Sequence, residues 1–349
     1  MVVVCLQKTS NNNQQTTNNK QQTTPNTMNQ QIKTFSTLLL CFIFNSCYGQ
    51  NSSDSTPVSR SENDFPLIII SPELPECLEF AGVVYDLTRS DLRERLDREI
   101  INLTYTHAAT LLVIKRANRF FPEIEPILKA NNIPDDFKYL ALIESNLIPD
   151  NRSPAGALGL WQFMEATAKE YGLTVNSNVD ERLNIEKATV AACKYIRDAY
   201  KIYGDWTSVM ASYNAGMLRI SKELEKQKVK SAMDLWLVSE TSRYIFRIFA
   251  AKIIFSDPQK YGFLITKEQL YPPMEYKKVK VNNSIDDLVT FANEHNINYL
   301  QLKTANLWLR DTTLQNKNGT EYTILIPTEK SLNYNPKNTK VHNKNWVVK

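Results

Sequence analysis

The sequence predicts a mainly α protein, an all-α domain followed by a small α/β module. Between residues 88 and 262 the apolar residues recur at helical spacing, and strand signals are absent between 90 and 260. Beyond Leu270-Tyr-Pro-Pro the period changes: Val279 and Val281 alternate with polar neighbours, as do Tyr322, Ile324 and Ile326. Helix-stop and helix-start residues fall where the helical period breaks, as in Tyr203-Gly204-Asp205.

Taken in order, residues 1–27 are rich in Asn, Gln and Thr and cannot bury enough apolar surface to fold. Residues 28–49 read as a signal peptide. Lys33 precedes the short apolar run Phe35–Phe44, and small and polar residues come after it. The run falls short of the roughly 20 residues a membrane span needs. Signal peptides begin near a start codon, so Met28 is expected to be the initiator, with residues 1–27 untranslated. Cleavage is expected near Gly49. The alternative is lipidation of Cys47, for which Phe44-Asn-Ser-Cys is a poor signal. Either route places the protein outside the cytoplasm, in the periplasm or cell envelope. Membrane association would follow only from lipidation.

Residues 50–87 form a lead-in, rich in Ser, Asn and Asp over 50–64. Leu92, Leu96, Ile100 and Ile101 mark one amphipathic helix, and Leu111, Ile114, Ala117 and Phe121 another. Asn184 caps a long helix that ends at Gly204, and Asp205 caps the next. An apolar helix covers Tyr244 to Phe255. The module, residues 274–328, reads as strand, helix (Ile285–His295), helix (Tyr299–Asn306), strand. The Asn/Lys-rich tail, 329–349, is expected to be loose.

Composition bounds the function. A hydrophobic content of 42% supports a real core. A formal net charge of +4, without any Lys/Arg block, gives no nucleic-acid footprint. The 5 cysteines contain no Cys-x-x-Cys and the 3 histidines are scattered, which argues against a zinc site or a Cys/His nucleophile. No metal or cofactor is expected, and a monomer is. Cys77 and Cys193 could pair or stay free, since pairing depends on geometry.

Glu144 carries the chemistry. It lies in Pro134-Asp-Asp-Phe-Lys-Tyr-Leu-Ala-Leu-Ile-Glu-Ser, where Pro134 suits a first helical position and the two aspartates suit the positive end of the helix dipole. Phe137, Leu140, Ala141 and Glu144 share one stripe. Burial of a carboxyl there disfavours its charge and raises its pKa, as a general acid near neutral pH requires. A solvated helix end is the plain alternative for Glu144 alone, and the segments C-terminal to it argue against that alternative. Pro149, Pro154, Gly156 and Gly159 turn the chain in a tight loop, and Ala211-Ser-Tyr-Asn-Ala-Gly and Glu240-Thr-Ser-Arg-Tyr come later.

Together Glu144-Ser145, Ser153, Gly156-Ala157, Gly159-Leu160, Gln162, Tyr213-Asn214-Ala215-Gly216 and Glu240-Thr241 with Tyr244 resemble the lysozyme-like lytic transglycosylases of bacterial cell walls, in the soluble lytic transglycosylase and goose-type lysozyme superfamily. The resemblance runs from about residue 90 to 257. Glu165 and Ser212 depart from the residues many relatives carry, at sites that need no special chemistry.

The resemblance implies a lysozyme-like fold for the helical domain and peptidoglycan glycan strands as partner. Glu144 would be the single catalytic acid and base. Ser145, Ser153, Gln162, Met164, Tyr213, Asn214, Glu240 and Tyr244 would bind substrate, with Asn214 and Gly216 holding the turn that presents Tyr213. Core packing is the alternative for Met164 and Tyr213, and the expectation for Trp161 and Trp206. Ordinary glycosidases pair two carboxylates about 5–10 Å apart. Asp150, Asp180 and Glu181 are the candidates, and none is compelling: capping and charge pairing explain Asp180 and Glu181. The resemblance implies that no second carboxylate is needed, because the substrate's own N-acetyl group can assist, and that the MurNAc C6 hydroxyl attacks C1 and gives a 1,6-anhydro product. A hydrolytic lysozyme on this fold and an inactive peptidoglycan-binding scaffold are the alternatives. Residues about 276–327 resemble a divergent LysM glycan-binding module. The competing reading is a small α/β cap on the helical domain.

Overall fold

The computed structural model describes residues 69–348. The readings of residues 1–27, of the signal peptide at 28–49 and of Cys47 lie outside the described residues.

The described chain begins with a hairpin that the lead-in reading did not anticipate. Strands β1 (Cys77–Phe80) and β2 (Val83–Asp86) pair antiparallel, with Phe80 opposite Val83. The two-residue turn, Ala81-Gly82, has φ of 54° and 79°. Two left-handed residues match the twist of the flanking strands in so short a turn. Phe80 is fully buried, edge-on to Phe137 and close to Phe249. The hairpin thus braces the start of the helix that carries Glu144.

Eight helices follow: α1 (Ser90–Tyr105), α2 (His107–Ala130), α3 (Lys138–Ser145), α4 (Glu165–Glu170), α5 (Ile185–Tyr203), α6 (Trp206–Ala215), α7 (Met217–Gln227) and α8 (Ser239–Ser256). Leu92, Leu96 and Ile100 of α1 pack on α8, whereas Ile101 falls one residue off the stripe and is 37% exposed. Helix α8 buries Ile245, Phe246, Ile248 and Phe249 on successive faces, the mark of a central helix. The anticipated caps are present. The Asn184 side chain accepts from the Lys187 N–H, Gly204 ends α5 at φ 60°, and Asp205 accepts from the Ser208 N–H at 2.8 Å.

The C-terminal module has the expected order: β3 (Tyr276–Val281), α9 (Leu288–Glu294), α10 (Tyr299–Ala305) and β4 (Tyr322–Pro327). Its strands pair antiparallel, Tyr276 opposite Pro327 and Val281 opposite Tyr322. Leu288, Leu302, Trp308 and Ile324 form its core, and Leu158, Val179 and Leu183 of the helical domain enter the same core. Backbone bonds seal the join: Asp180 N–H donates to Trp308 O at 2.9 Å and Arg310 N–H to Asn178 O at 2.8 Å.

The tail corrects the expectation of a loose end. Trp346 is 1% exposed, packs on Phe121 and Phe255, and donates its indole N–H to Phe255 O at 2.6 Å. Average composition over the tail hides this, because one large apolar side chain with a satisfied N–H is enough to anchor a polar segment.

Candidate active site

Pro134 precedes the helical turn instead of occupying it: at φ −54° and ψ 138° it caps the 3-10 turn Asp135–Phe137, which runs into α3. Asp136 does more than favour the dipole. Its Oδ2 accepts from Ala81 N–H and pairs with Lys252, both at 2.7 Å. Phe137, Leu140 and Ala141 are fully buried along the anticipated stripe, and Glu144 at its end is 6% exposed. Directly after it, Asn146 and Leu147 have φ of 52° and 53°. Consecutive left-handed non-glycine residues are costly and persist only where packing fixes them, and Leu147 is fully buried. The chain therefore reverses sharply behind the carboxyl.

Burial pushes the Glu144 carboxyl up to about 7. The Tyr244 hydroxyl, which donates to Glu144 Oε1, opposes that rise, as does the Arg247 charge, while the Glu240 charge adds to it. Tyr244 and Tyr213 are themselves buried, and desolvation first, then the Glu144 charge, holds both phenols well above their ordinary value. They are therefore fixed proton donors. The Tyr213 hydroxyl donates to Trp161 O at 2.8 Å. A carboxyl poised near 7 is both protonated and ionised in comparable amounts at neutral pH, so it can give a proton and take one back.

The loop from Asn151 to Phe163 is held from within and from below. Ser153 Oγ accepts from Ala157 N–H at 3.0 Å. Gln162, itself at φ 49°, donates its amide to Asn151 O at 2.9 Å and Gly159 O at 2.8 Å, and its Oε1 is buried with no partner among the described residues. Gly159 has φ 84°, and a Cβ there would lie 2.1 Å from Arg182 O. Only glycine fits. Arg182 donates to Gly156 O at 3.0 Å and Phe163 O at 3.3 Å while pairing with Asp180 at 2.7 Å.

That buried pair accounts for Asp180, and Glu181 accepts from Thr174 N–H at 2.8 Å and pairs with Lys187. Asp150 lies exposed in its loop. The carboxylate that Glu144 feels is Glu240, in the first turn of α8, whose Oε1 is buried without a partner among the described residues.

The other anticipated residues are placed less directly. Ser145 is buried and donates to Ala141 O at 3.1 Å, a contact inside its own helix. Met164 is the partly exposed cap of α4. Asn214 is buried two residues before Gly216, which ends α6 at φ 87°. No hydrogen bond ties Ser153, Met164 or Asn214 to Glu144 among the described residues. Trp161 is core, donating to Thr189 Oγ1 at 2.9 Å, and Trp206 stacks on Tyr200 at 3.8 Å. Motif reading missed Arg182 and Arg247. Arg247 is one helical turn beyond Tyr244, a spacing that could have found it.

Cys77 and Cys193 are free thiols, one exposed and one buried. Among the described residues no cluster of His, Cys, Asp or Glu could hold a metal ion, and no helix is long and apolar enough to cross a membrane.

Residues 122–235 match the transglycosylase SLT domain, and residues 277–330 match the soluble lytic transglycosylase C-terminal LysM-like domain. Membrane-bound lytic murein transglycosylase D of Escherichia coli strain K12 is 28% identical over 250 residues, covering 68% of this chain and 51% of that protein. The chain thus spans about half the length of that relative. Peptidoglycan transglycosylase gp16 of Escherichia phage T7 is 35% identical over 121 residues, 34% of this chain and 9% of its own. Among solved structures, the 70 kDa soluble lytic transglycosylase of Escherichia coli overlaps 39% of this chain and 24% of its own, at 23% identity and a TM-score of 0.33.

Proposed function

We propose, for a chain that carries a transglycosylase SLT domain and a C-terminal LysM-like domain, that it is a peptidoglycan lytic transglycosylase cutting the β-1,4 bond between MurNAc and GlcNAc. The observation that carries this reading is Glu144: one carboxyl, buried at a sharp chain reversal, raised to about 7 and held on one oxygen by Tyr244. The relatives named as murein and peptidoglycan transglycosylases support it.

Neutral Glu144 protonates the glycosidic oxygen, and the C1–O bond to the departing GlcNAc breaks. The ionised carboxylate then takes the proton of the MurNAc C6 hydroxyl as that oxygen bonds to C1. The proton count returns to its start, no water is consumed, and the product is a 1,6-anhydro sugar. Intramolecular attack gains from a high effective molarity and needs no second carboxylate to position water. Asp180 and Glu181 are committed to Arg182 and Lys187, which leaves neither of them free to act as a second carboxylate.

Within the reading, Gln162 Oε1 and Glu240 Oε1 are acceptors for sugar hydroxyls or amides, since both are buried and unpaired among the described residues. Ser153, Met164, Tyr213 and Asn214 line or support the same cleft, and Ser145 braces the end of α3. The LysM-like domain holds the glycan strand near the cleft. Export to the cell envelope fits the signal-peptide pattern of residues 28–49.

Mass spectrometry of peptidoglycan digested by the purified protein tests the proposal. Anhydro-muropeptides are expected from the native chain and none from Glu144→Gln. Reducing ends would assign a hydrolase instead, and the absence of any soluble product would leave a binding scaffold.

A further inference from the structure

Asn178, Val179 and Asp180 of the helical domain run alongside the module as a short strand. Val179 pairs antiparallel with Leu309, the Asp180 N–H donates to Trp308 O at 2.9 Å, and the Arg310 N–H donates to Asn178 O at 2.8 Å. The Asn178 side chain adds two more bonds. Its amide donates to Thr313 O at 3.0 Å, and its carbonyl accepts from the Gln315 N–H at 2.8 Å. Local turn formation does not account for these bonds. Asn176 already caps the turn, accepting from the Asn178 and Val179 N–H groups at 2.9 and 2.8 Å, so the Asn178 carboxamide is left to bridge to the module. The segment it grips is itself held within the module. Ile285 and Leu314 exchange backbone bonds at 2.9 and 2.8 Å, and Lys303 donates to Leu309 O and Asp311 O.

From this join a continuous set of bonds reaches the candidate active site. Asp180, 5% exposed, accepts from Arg182 Nε at 2.9 Å and from Arg182 Nη2 at 2.7 Å. A two-point carboxylate contact fixes the plane of the guanidinium. The remaining nitrogen, Nη1, donates to Gly156 O and Phe163 O, and Gly159 seats directly on Arg182 O. Gln162 lies between these fixed points. It is held at φ 49°, a left-handed conformation that a non-glycine residue keeps only where its surroundings impose it.

We propose that Asn178 is a positioning residue. By tying the module to the segment of Asp180 and Arg182, it fixes the loop that presents Gln162 to the cleft, so the LysM-like domain acts on the reaction without touching glycan. The role of Gln162 rests on the transglycosylase reading, whereas the mechanical link does not. Two neutral hydrogen bonds lost together shift a local opening equilibrium roughly 10-fold or more. A displacement of about 1 Å at a substrate-positioning group costs on the order of 100-fold in rate. Releasing Asn178 should therefore cost turnover and spare binding.

The full chain carrying Asn178→Ala is compared with the native chain by hydrogen exchange and by kinetics on peptidoglycan. Exchange across residues 151–163 should quicken roughly 10-fold, with α8 unchanged. The kcat for release of anhydro-muropeptides should fall roughly 10-fold, while KM and retention on insoluble peptidoglycan change less than about 2-fold. Asn178→Asp keeps the acceptor for the Gln315 N–H and loses the donor to Thr313 O. It should show the same pattern in smaller degree, and it serves if the alanine variant does not fold. Unchanged exchange across 151–163 overturns the proposal, as does an equal rise in every helix, which is a general loss of stability. A raised KM or weakened retention with kcat intact also overturns it and assigns Asn178 to holding glycan. If the native chain releases no anhydro product, the transglycosylase reading fails and the role of Asn178 in that reaction falls with it, whereas faster exchange across 151–163 would still establish the link.

Discussion

Replacing Glu144 by glutamine should make the folded protein more stable while removing its chemistry. An unfolded glutamate ionises near 4.5, whereas the folded carboxyl waits until about 7 because burial strips its charge of water. Its folded-state pKa is raised, so the native state is favoured by the neutral form. That advantage is complete below about pH 4.5 and is lost progressively as the pH climbs to about 7. Above that the loss is constant, and the rise from 4.5 to about 7 corresponds to about 3 kcal/mol. Glutamine has the same shape and no charge to desolvate, and its amide oxygen can still accept from the Tyr244 hydroxyl.

The Glu144→Gln variant should therefore match the native protein near pH 4 and exceed it by about 3 kcal/mol at pH 8, with the gap opening between these limits. Calorimetric unfolding of both proteins at half-unit steps from pH 4 to pH 8 reads this directly, as a midpoint difference that grows to several degrees. A difference that is constant with pH, or that shrinks as the pH rises, would refute the claim that Glu144 sits desolvated in the free protein. A stability gain at the acid itself is the signature of a group kept for function at the cost of fold stability.

Tyr244→Phe removes the donor that favours ionised Glu144, so the alkaline limb of kcat/KM for peptidoglycan solubilisation, expected near pH 7, should move upward; a limb that stays or falls contradicts the assigned bond. Gly159→Ala should cost more than about 3 kcal/mol in denaturant unfolding, or fail to fold, because its Cβ meets Arg182 O. Gly156→Ala, at φ 92° with open space around it, should cost only about 1–2 kcal/mol, so equal costs would show that conformation and not the close approach governs the loop. Trp346→Ala should cost about 3–5 kcal/mol in the same measurement if the tail is part of the helical core.

The helical frame was legible because its signals are local. Asn184, Gly204 and Asp205 punctuate α5 and α6 by their own side chains and backbone freedom, and the stripe of α3 needs only its own residues. The features that escaped reading depend on partners far along the chain. The β1–β2 hairpin is fixed by Ala81 donating to Asp136, 55 residues away, and by Phe80 on Phe249. Trp346 finds Phe255 across 91 residues. The site divides in the same way. Motif blocks pointed to Glu144 and Tyr244 separately, and only the fold shows that the phenol donates to the carboxyl across 100 positions. Arg182 sits beside Asp180 at the start of a helix, and its clamp on the backbone of Gly156 and Phe163 leaves no trace in local spacing.

The module also changes meaning once the core is seen. Glycan-holding LysM-like domain and packed α/β cap were competing readings of residues 274–328, and the packing makes them compatible. Leu158 lies between Ala157, which bonds Ser153, and Gly159, which seats on Arg182, and it is buried in the module's core with Val179 and Leu183. The strand-like contacts from Asn178 to Arg310 and from Asp180 to Trp308 fix the segment that supplies Arg182. A side chain of the site loop thus takes its packing from the module. Buried apolar contacts of this kind transmit position, because close-packed interiors do not deform freely. The module is a wall of the cleft's supporting loop as well as a candidate glycan holder, and the geometry of Ser153 and Gln162 depends on its presence even when no glycan touches it.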